Sequence, residues 1–422
     1  MSIPVLISAP SEPHEGQGAG EEKRGEVLDT AVAEDRLDLA ACFRAIAASH
    51  GKSYQQLLLE IARTSFGPGR LTFHEYLALR LFDDAALAGA DKCAFVGMQA
   101  SRRIWVTANH NAHWWGLMAN KLAITTLLGG YGFSVIPTLA LYSDTLRLRN
   151  AALLSGAGEL AHFLRTSHAY PLFGKPTDEL KSLGAASLDA YDPESDSLLI
   201  GDRRLPLERF VAEVKRHFSA GYILQRRILP HPAVRALVGD RLATVRVMTM
   251  RTDHGPEVLR AAWKIPGGRN FADNFWRPGN LLATLDLESG RVRRVVRGSG
   301  IGQQELTHHP DTNAALIGIE VPLWREITAL ALEAAASLRD VRLIGWDMAA
   351  TDRGALIIEP NYTPDFGLPQ IADRRGMLDD RLMAFLASCK AESRDAKREL
   401  KRMNAAETRE EMVRLGRSIA GA

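Results

Sequence analysis

The sequence predicts an α+β fold, and three observations carry that expectation. Apolar residues recur at helical spacing from Asp35 to Phe82. Beyond Phe133, short β-rich runs alternate with helical stretches. Near the carboxyl-terminal end, an Asp352-Arg353-Gly354 turn separates two apolar runs, the pattern of a β-hairpin.

In the amino-terminal part, residues 1–34 are rich in Glu, Gly, Ser and Pro and poor in large apolar groups, so a disordered tail is expected. A helical domain over 35–118 follows. Its first helices carry Leu37, Leu39, Phe43 and Ile46, then Tyr54, Leu57, Leu58 and Ile61. Phe66-Gly67-Pro68-Gly69 interrupts them. Leu71 to Phe82 reads as a further helix capped by Thr72, with Glu75 three residues on as its capping-box partner. This region has no chemical signature of its own. His110 and His113 lie one turn apart, but no third metal ligand is near in sequence, and beside Trp114 and Trp115 they read as surface or packing residues.

A helix opening at Asn120-Lys121 is ended by Gly129-Gly130, and Phe133 to Leu139 reads as a strand. After a helix around Leu153 to Leu164, Tyr170 to Pro176 forms a short strand in which Lys175 places a mobile positive charge. The loop Ser182 to Ser187 is built of small residues and includes Gly184, so its backbone N–H groups can approach an anion closely. Leu207 to Phe218 is helical, and Gly221 to Ile228 is a strand carrying Gln225 and Arg226. Leu242 to Met250 alternates like a strand and contains Arg246, whose guanidinium needs an anionic partner in so apolar a setting. Lys264 sits in a similar run, Ala261 to Ile265. Asp273 to Asn280 combines polar, aromatic and glycine residues, the profile of an ordered functional loop. His308 to Thr312 is a second polar loop, and Pro322 to Leu338 is the helix that leads into the hairpin.

The hairpin bears the chemistry. A turn centred on Arg353 places Thr351 opposite Ala355 and Asp347 opposite Glu359. Two carboxylates facing each other across a ladder weaken a sheet unless something positive lies between them. Asn361 shares the face of Glu359, because strand side chains alternate. Leu343-Ile344 and Leu356-Ile357-Ile358 read as buried strand, so these acids need a partner. An all-oxygen set of two carboxylates and an amide suits magnesium.

Asp347, then Glu359-x-Asn361 and a proline-containing loop from Tyr362 to Phe366, resemble the metal-binding end of the ATP-grasp superfamily. Lys121 before a Gly-rich turn and an apolar strand, and Lys175-Pro176 before a small-residue loop, are similar to its nucleotide-binding segments. The wider stretch, roughly Lys121 to Gln370, resembles the sugar-transfer associated, alpha-L-glutamate ligase-like branch. The resemblance implies an ATP-grasp fold of two α+β lobes gripping nucleotide, with a pre-grasp segment over 119–168, the nucleotide-binding domain over 169–389 and a charged helix over 390–422. It implies a carboxylate-amine ligase that uses ATP and two magnesium ions. Asp347, Glu359 and Asn361 would hold the metal, and Arg246 would stabilise the transferred phosphoryl group. Lys121, Lys175, Ser182, Gly184, Gln225, Arg226, Ile228 and Asn274 would contact the nucleotide. The loop holds one glycine where many relatives have several, and Gly345 stands where D-alanine:D-alanine ligases have an arginine, so their substrate chemistry does not carry over.

The implied substrate is a small molecule or glycan precursor, in a pathway shared with glycosyltransferases. A phosphotransferase and a non-catalytic nucleotide-binding module are the alternatives on the same fold. A net charge of +2 gives no reason to expect nucleic acid. Three widely spaced cysteines, no secretory pattern at the amino terminus and no uninterrupted apolar span fit a cytoplasmic protein.

Overall fold

The computed structural model describes residues 38–177, 184–201, 203–268 and 270–419. The expected tail, residues 1–34, lies outside them. Among the described residues seven α-helices come first: α1 (Leu39–His50), α2 (Tyr54–Phe66), α3 (Phe73–Ala78), α4 (Asp84–Leu87), α5 (Met98–Ala108), α6 (His113–Ala119) and α7 (Lys121–Gly130). Strands β1 (Thr138–Tyr142) and β2 (Ala152–Leu154), helix α8 (Ala157–Thr166) and strands β3 (Leu172–Pro176) and β4 (Ala186–Leu188) follow. Next come a small meander, β5 (Ala190–Asp192), β6 (Ser197–Ile200) and β7 (Arg203–Pro206), then helix α9 (Leu207–His217), strand β8 (Tyr222–Arg226) and helix α10 (Pro232–Val238). The remaining elements are β9 (Thr244–Thr252), β10 (Gly255–Ile265), β11 (Leu281–Leu285), β12 (Val292–Arg297), β13 (Gln304–Glu305), α11 (Trp324–Ser337), β14 (Leu343–Thr351), β15 (Gly354–Asn361), α12 (Gly367–Asp373) and α13 (Asp380–Ile419).

The strands form two principal sheets. A five-stranded sheet runs β2-β1-β8-β3-β4, and a seven-stranded antiparallel sheet runs β13-β12-β11-β10-β9-β14-β15. The larger sheet is covered on one face by α11, which buries Trp324, Ile327, Ala331 and Ala334 against Val247, Trp263 and Trp346. Its other face is covered by the amino-terminal helices: Leu71, Tyr76, Leu77 and Phe82 pack with Ala262, Leu282 and Val296. The helical region therefore shares a core with the sheet instead of folding apart from it. Two buried side chains fasten the contact. Asn109 bonds the backbone of Leu343 and the carbonyl of Tyr362, and the Gln370 amide pairs with both backbone groups of Val96. Each satisfies main-chain groups that water cannot reach.

Several element boundaries move. The capping box of Thr72 and Glu75 forms, but the helix it opens is only six residues long. Helix α7 runs through both glycines to Gly130, and the strand after it begins at Thr138, not Phe133; Val135 makes only an isolated bridge to Ile357. The charged helix starts at Asp380, ten residues before the expected 390, because Leu382, Phe385, Leu386 and Cys389 pack on α5 and β9.

The hairpin reaches its expected pairing by another route. The loop holds two residues, so Thr351 pairs with Gly354, not with Ala355. Thr351 Oγ1 accepts the Arg353 N–H and donates to the Gly354 carbonyl, while Gly354 adopts φ +107. Unbroken pairing from that turn would set Asp347 opposite Ile358. A bulge at Ile358 adds one residue to β15 and brings Glu359 opposite Asp347.

Candidate active site

Between the two sheets lies a cavity of about 380 Å³, within the range of small-molecule sites. Lys121, Lys175, Gln225, Arg226, Ile228, Arg246, Asn274, Asp347, Glu359 and Asn361 all line it. They come from seven stretches of the chain: α7, β3, the end of β8, β9, the loop after β10, β14 and β15.

The centre is a network of buried charges. Arg246 on β9 is paired in register with Asp347 on β14, and its Nε and Nη2 donate to Asp347 Oδ1 and Oδ2 at 2.7 and 3.0 Å. Lys264 Nζ, from β10, lies 3.1 Å from Asp347 Oδ1 and 3.6 Å from Asp273 Oδ1. Burial acts to raise the Asp347 carboxyl, but Arg246 and then Lys264 outweigh it and hold the group down at about 2. Asp273 is raised by burial; its Oδ2 accepts the Thr244 N–H and hydroxyl at 2.6 and 2.5 Å.

The second acid is held differently. Glu359 is half-buried, with Lys121 Nζ 3.5 Å from its Oε2. Burial acts to raise it, and Lys121 foremost brings it below the ordinary carboxylate value. Lys121 is the first residue of α7, where a cation opposes the helix dipole, so its position makes sense only through partners such as Glu359. Lys175 is pushed down to about 8 by burial, with Lys121 adding to the effect and Glu359 opposing it. Among the described residues no carboxylate lies within ion-pair distance of Lys175.

These residues suit the implied magnesium nucleotide on two counts. Glu359 and Asn361 offer hard oxygens on one face of β15. Asn361 Nδ2 donates to the Gly345 carbonyl at 3.3 Å, which leaves the amide oxygen as its ligating atom. Gln225, 3% exposed in the centre of the smaller sheet, gives Nε2 to the Ile136 carbonyl at 3.0 Å, while its buried Oε1 has no partner among the described residues. A buried orphan acceptor lining a cavity suits the exocyclic amino group of a base. Asp347 suits the ion less well, since Arg246 and Lys264 already occupy its oxygens. Among the described residues no three His, Cys, Asp or Glu side chains gather as a metal set.

Other expected contacts depart from the reading. Ser182 lies outside the described residues. Gly184 does not line the cavity: a Cβ there would lie 2.4 Å from the Phe218 ring, and its carbonyl accepts the Tyr222 hydroxyl at 2.9 Å. The Arg227 N–H, between Arg226 and Ile228, donates to the Pro171 carbonyl at 2.9 Å. The Arg227 guanidinium is held by Asp189 and lies over the Phe271 ring.

Sequence reasoning assigned no role to Lys264 or Asp273, although Lys264 carries the same signal as Arg246, a cation in an apolar strand. It also left the His308–Thr312 loop unexplained. That loop is a brace: His309 Nε2 meets the Pro266 carbonyl at 3.0 Å, and Asp311 accepts the Gly268 N–H at 2.8 Å and an Arg241 contact at 3.3 Å. It thereby supports the segment that carries Phe271, Asp273 and Asn274. Gly345 is explained too. A Cβ there would lie 2.8 Å from Pro364 Cβ and 3.2 Å from Arg246 Cδ, so the Arg246 side chain crosses the space a side chain at 345 would need.

Residues 212–385 match the model of the sugar-transfer associated ATP-grasp family. No curated protein matches the chain. Among solved structures, the D-alanine-D-alanine ligase from Coxiella burnetii aligns at 13% identity and TM-score 0.40, covering 69% of this chain and 62% of its own, so the alignment spans less than two thirds of that enzyme. The D-alanine–D-alanine ligase from Bacillus anthracis aligns at 12% identity and TM-score 0.37, covering 67% and 70%. The VanG D-Ala:D-Ser ligase from Enterococcus faecalis aligns at 13% and 0.36, covering 64% and 62%. Likenesses this distant assign no activity. The match to the sugar-transfer associated ATP-grasp family thus covers residues 212–385, less than half of the chain.

Proposed function

We propose that the protein is an ATP- and magnesium-dependent ligase that activates a carboxylate as an acyl phosphate for transfer to an amine or hydroxyl, in polysaccharide or glycoconjugate biosynthesis. The observation that carries this reading is the convergence on one cavity of cations suited to phosphates, oxygens suited to magnesium and the orphan acceptor of Gln225.

Glu359 and Asn361 would hold magnesium, which supplies charge neutralisation to the phosphates. Lys121 and Lys175 bind phosphate oxygens. Gln225, Arg226, Ile228 and Asn274 surround the base and ribose. Arg246, locked in orientation by Asp347, presents its remaining Nη1 donors to the phosphoryl group in transfer. An oxygen of the substrate carboxylate bonds to the γ-phosphorus as the bond to the β,γ-bridging oxygen breaks. ADP departs with that electron pair, and the nucleophile then displaces phosphate from the acyl carbon.

Incubation of the purified chain with ATP, magnesium and pools of carboxylic acids and amines tests the reading. Acid-dependent release of ADP and phosphate supports it. AMP formation, or a stable phosphorylated product, contradicts it, the latter in favour of a phosphotransferase.

A further inference from the structure

The cavity extends past the charged centre into a pouch walled by the helical region. Leu79, Met98 and Trp105 come from that region, and Trp276, Phe366 and Ile371 close the other side. The pouch begins within a few residues of Asn361: Trp105 Nε1 donates to the Pro364 carbonyl at 3.1 Å, and the Trp105 and Phe366 rings lie 6.5 Å apart. Arg246, Lys264 and Glu359 line the same cavity.

Most polar side chains of the pouch are already engaged within the protein. Trp276 Nε1 donates to Asp365 Oδ2 at 2.9 Å, and Asp365 Oδ1 accepts the Gly367 N–H at 2.7 Å. Glu75 Oε1 accepts the Met98 N–H at 2.6 Å, and its Oε2 accepts the Thr72 N–H and hydroxyl at 2.7 and 2.9 Å. Ser101 Oγ donates to the Gly97 carbonyl at 2.9 Å. A sugar ring or a second carboxylate would lose its water there and gain few new hydrogen bonds, an unfavourable exchange. A hydrocarbon or aromatic group loses nothing of the kind and gains the burial of its surface.

We infer that the carboxylic acid taken by this site carries a hydrocarbon or aromatic body, seated between Met98, Trp105 and Trp276, with its carboxylate at the Arg246–Lys264 pair. The inference rests on the ligase reading and narrows its substrate class.

The test is equilibrium dialysis of labelled straight-chain acids from butanoate to decanoate, with glutamate and glucuronate alongside, against the full chain saturated with magnesium and a non-hydrolysable ATP analogue. Affinity should rise about fourfold per added methylene until the pouch is full, since each buried CH₂ contributes about 0.8 kcal/mol. Met98→Glu should abolish the dependence on chain length, and the milder Met98→Ala should weaken the longest acids severalfold, both with analogue affinity retained as evidence of folding. A flat series, or glutamate or glucuronate binding more tightly than octanoate while the analogue still binds, would overturn the inference and leave the ligase reading standing. Failure of the analogue itself to bind overturns both.

Discussion

The two ends of the cavity are built by different means. At the charged end, position follows from strand register: Arg246, Asp347 and Glu359 stand abreast on three adjacent strands, and one bulge residue decides whether the two acids meet. At the apolar end, position follows from the packing of α3 and α5 on the larger sheet, with no side-chain pattern that announces a site. Register is local and readable from alternation; a wall made by docking a remote helix is not. The charged end should therefore be brittle, with single substitutions producing large effects, and the apolar end graded.

The largest expected effect is that of Asp347→Ala. It leaves Arg246 and Lys264 buried without their main counter-charge, and breaking such a network costs about 3–5 kcal/mol. Urea denaturation measures it, and a loss below about 1 kcal/mol would show that the network is loosely held. Glu359→Gln comes next. Glu359 is half-buried and, among the described residues, held by a single ion pair, so the fold should survive while magnesium-dependent nucleotide affinity falls roughly 10- to 100-fold, the worth of one charged contact. Calorimetric titration distinguishes this from an unchanged affinity, which would remove Glu359 from the metal set.

Much of the charged end was legible because an ion in an apolar strand must have a partner. That rule singled out Arg246 and the hairpin acids, but it led to magnesium for Asp347 where the structure supplies Arg246 and Lys264. Alternation shows which face a residue occupies; it does not show which cation a neighbouring strand contributes. The turn was misjudged by one residue and the bulge at Ile358 compensated, since neither Ile358 nor its neighbours carry the glycine that usually marks a bulge. Gly184 looked like a phosphate loop because small residues permit close approach; here the body that approaches is the Phe218 ring. Trp105 and Met98 were invisible as site residues because nothing local to α5 shows that it meets the loop after Asn361.

Two smaller effects sharpen the contrast. Gly345→Ala places a methyl group 3.2 Å from Arg246 Cδ and 2.8 Å from Pro364 Cβ, so a stability loss of about 1–3 kcal/mol is expected, with a fall in turnover as Arg246 shifts. Thermal unfolding and steady-state rates together check it; an unchanged rate would mean that the guanidinium is not needed at its present position. The gentlest probe is pH. The Lys175 amine, lowered to about 8 chiefly by burial, is charged below that pH and neutral above it, so nucleotide affinity of the free protein should decline as pH rises through about 8. Lys175→Arg should flatten the decline, because arginine keeps its proton throughout that range.

The central claim is that this cavity binds a nucleotide through magnesium held at the hairpin. The most direct measurement is equilibrium binding of a non-hydrolysable ATP analogue to the intact chain, with and without magnesium, beside the Glu359→Gln variant. Saturable binding that requires magnesium and is weakened roughly 10- to 100-fold in the variant while its circular dichroism is unchanged is the expected result. Absence of binding, or binding indifferent to both magnesium and Glu359, would contradict the account.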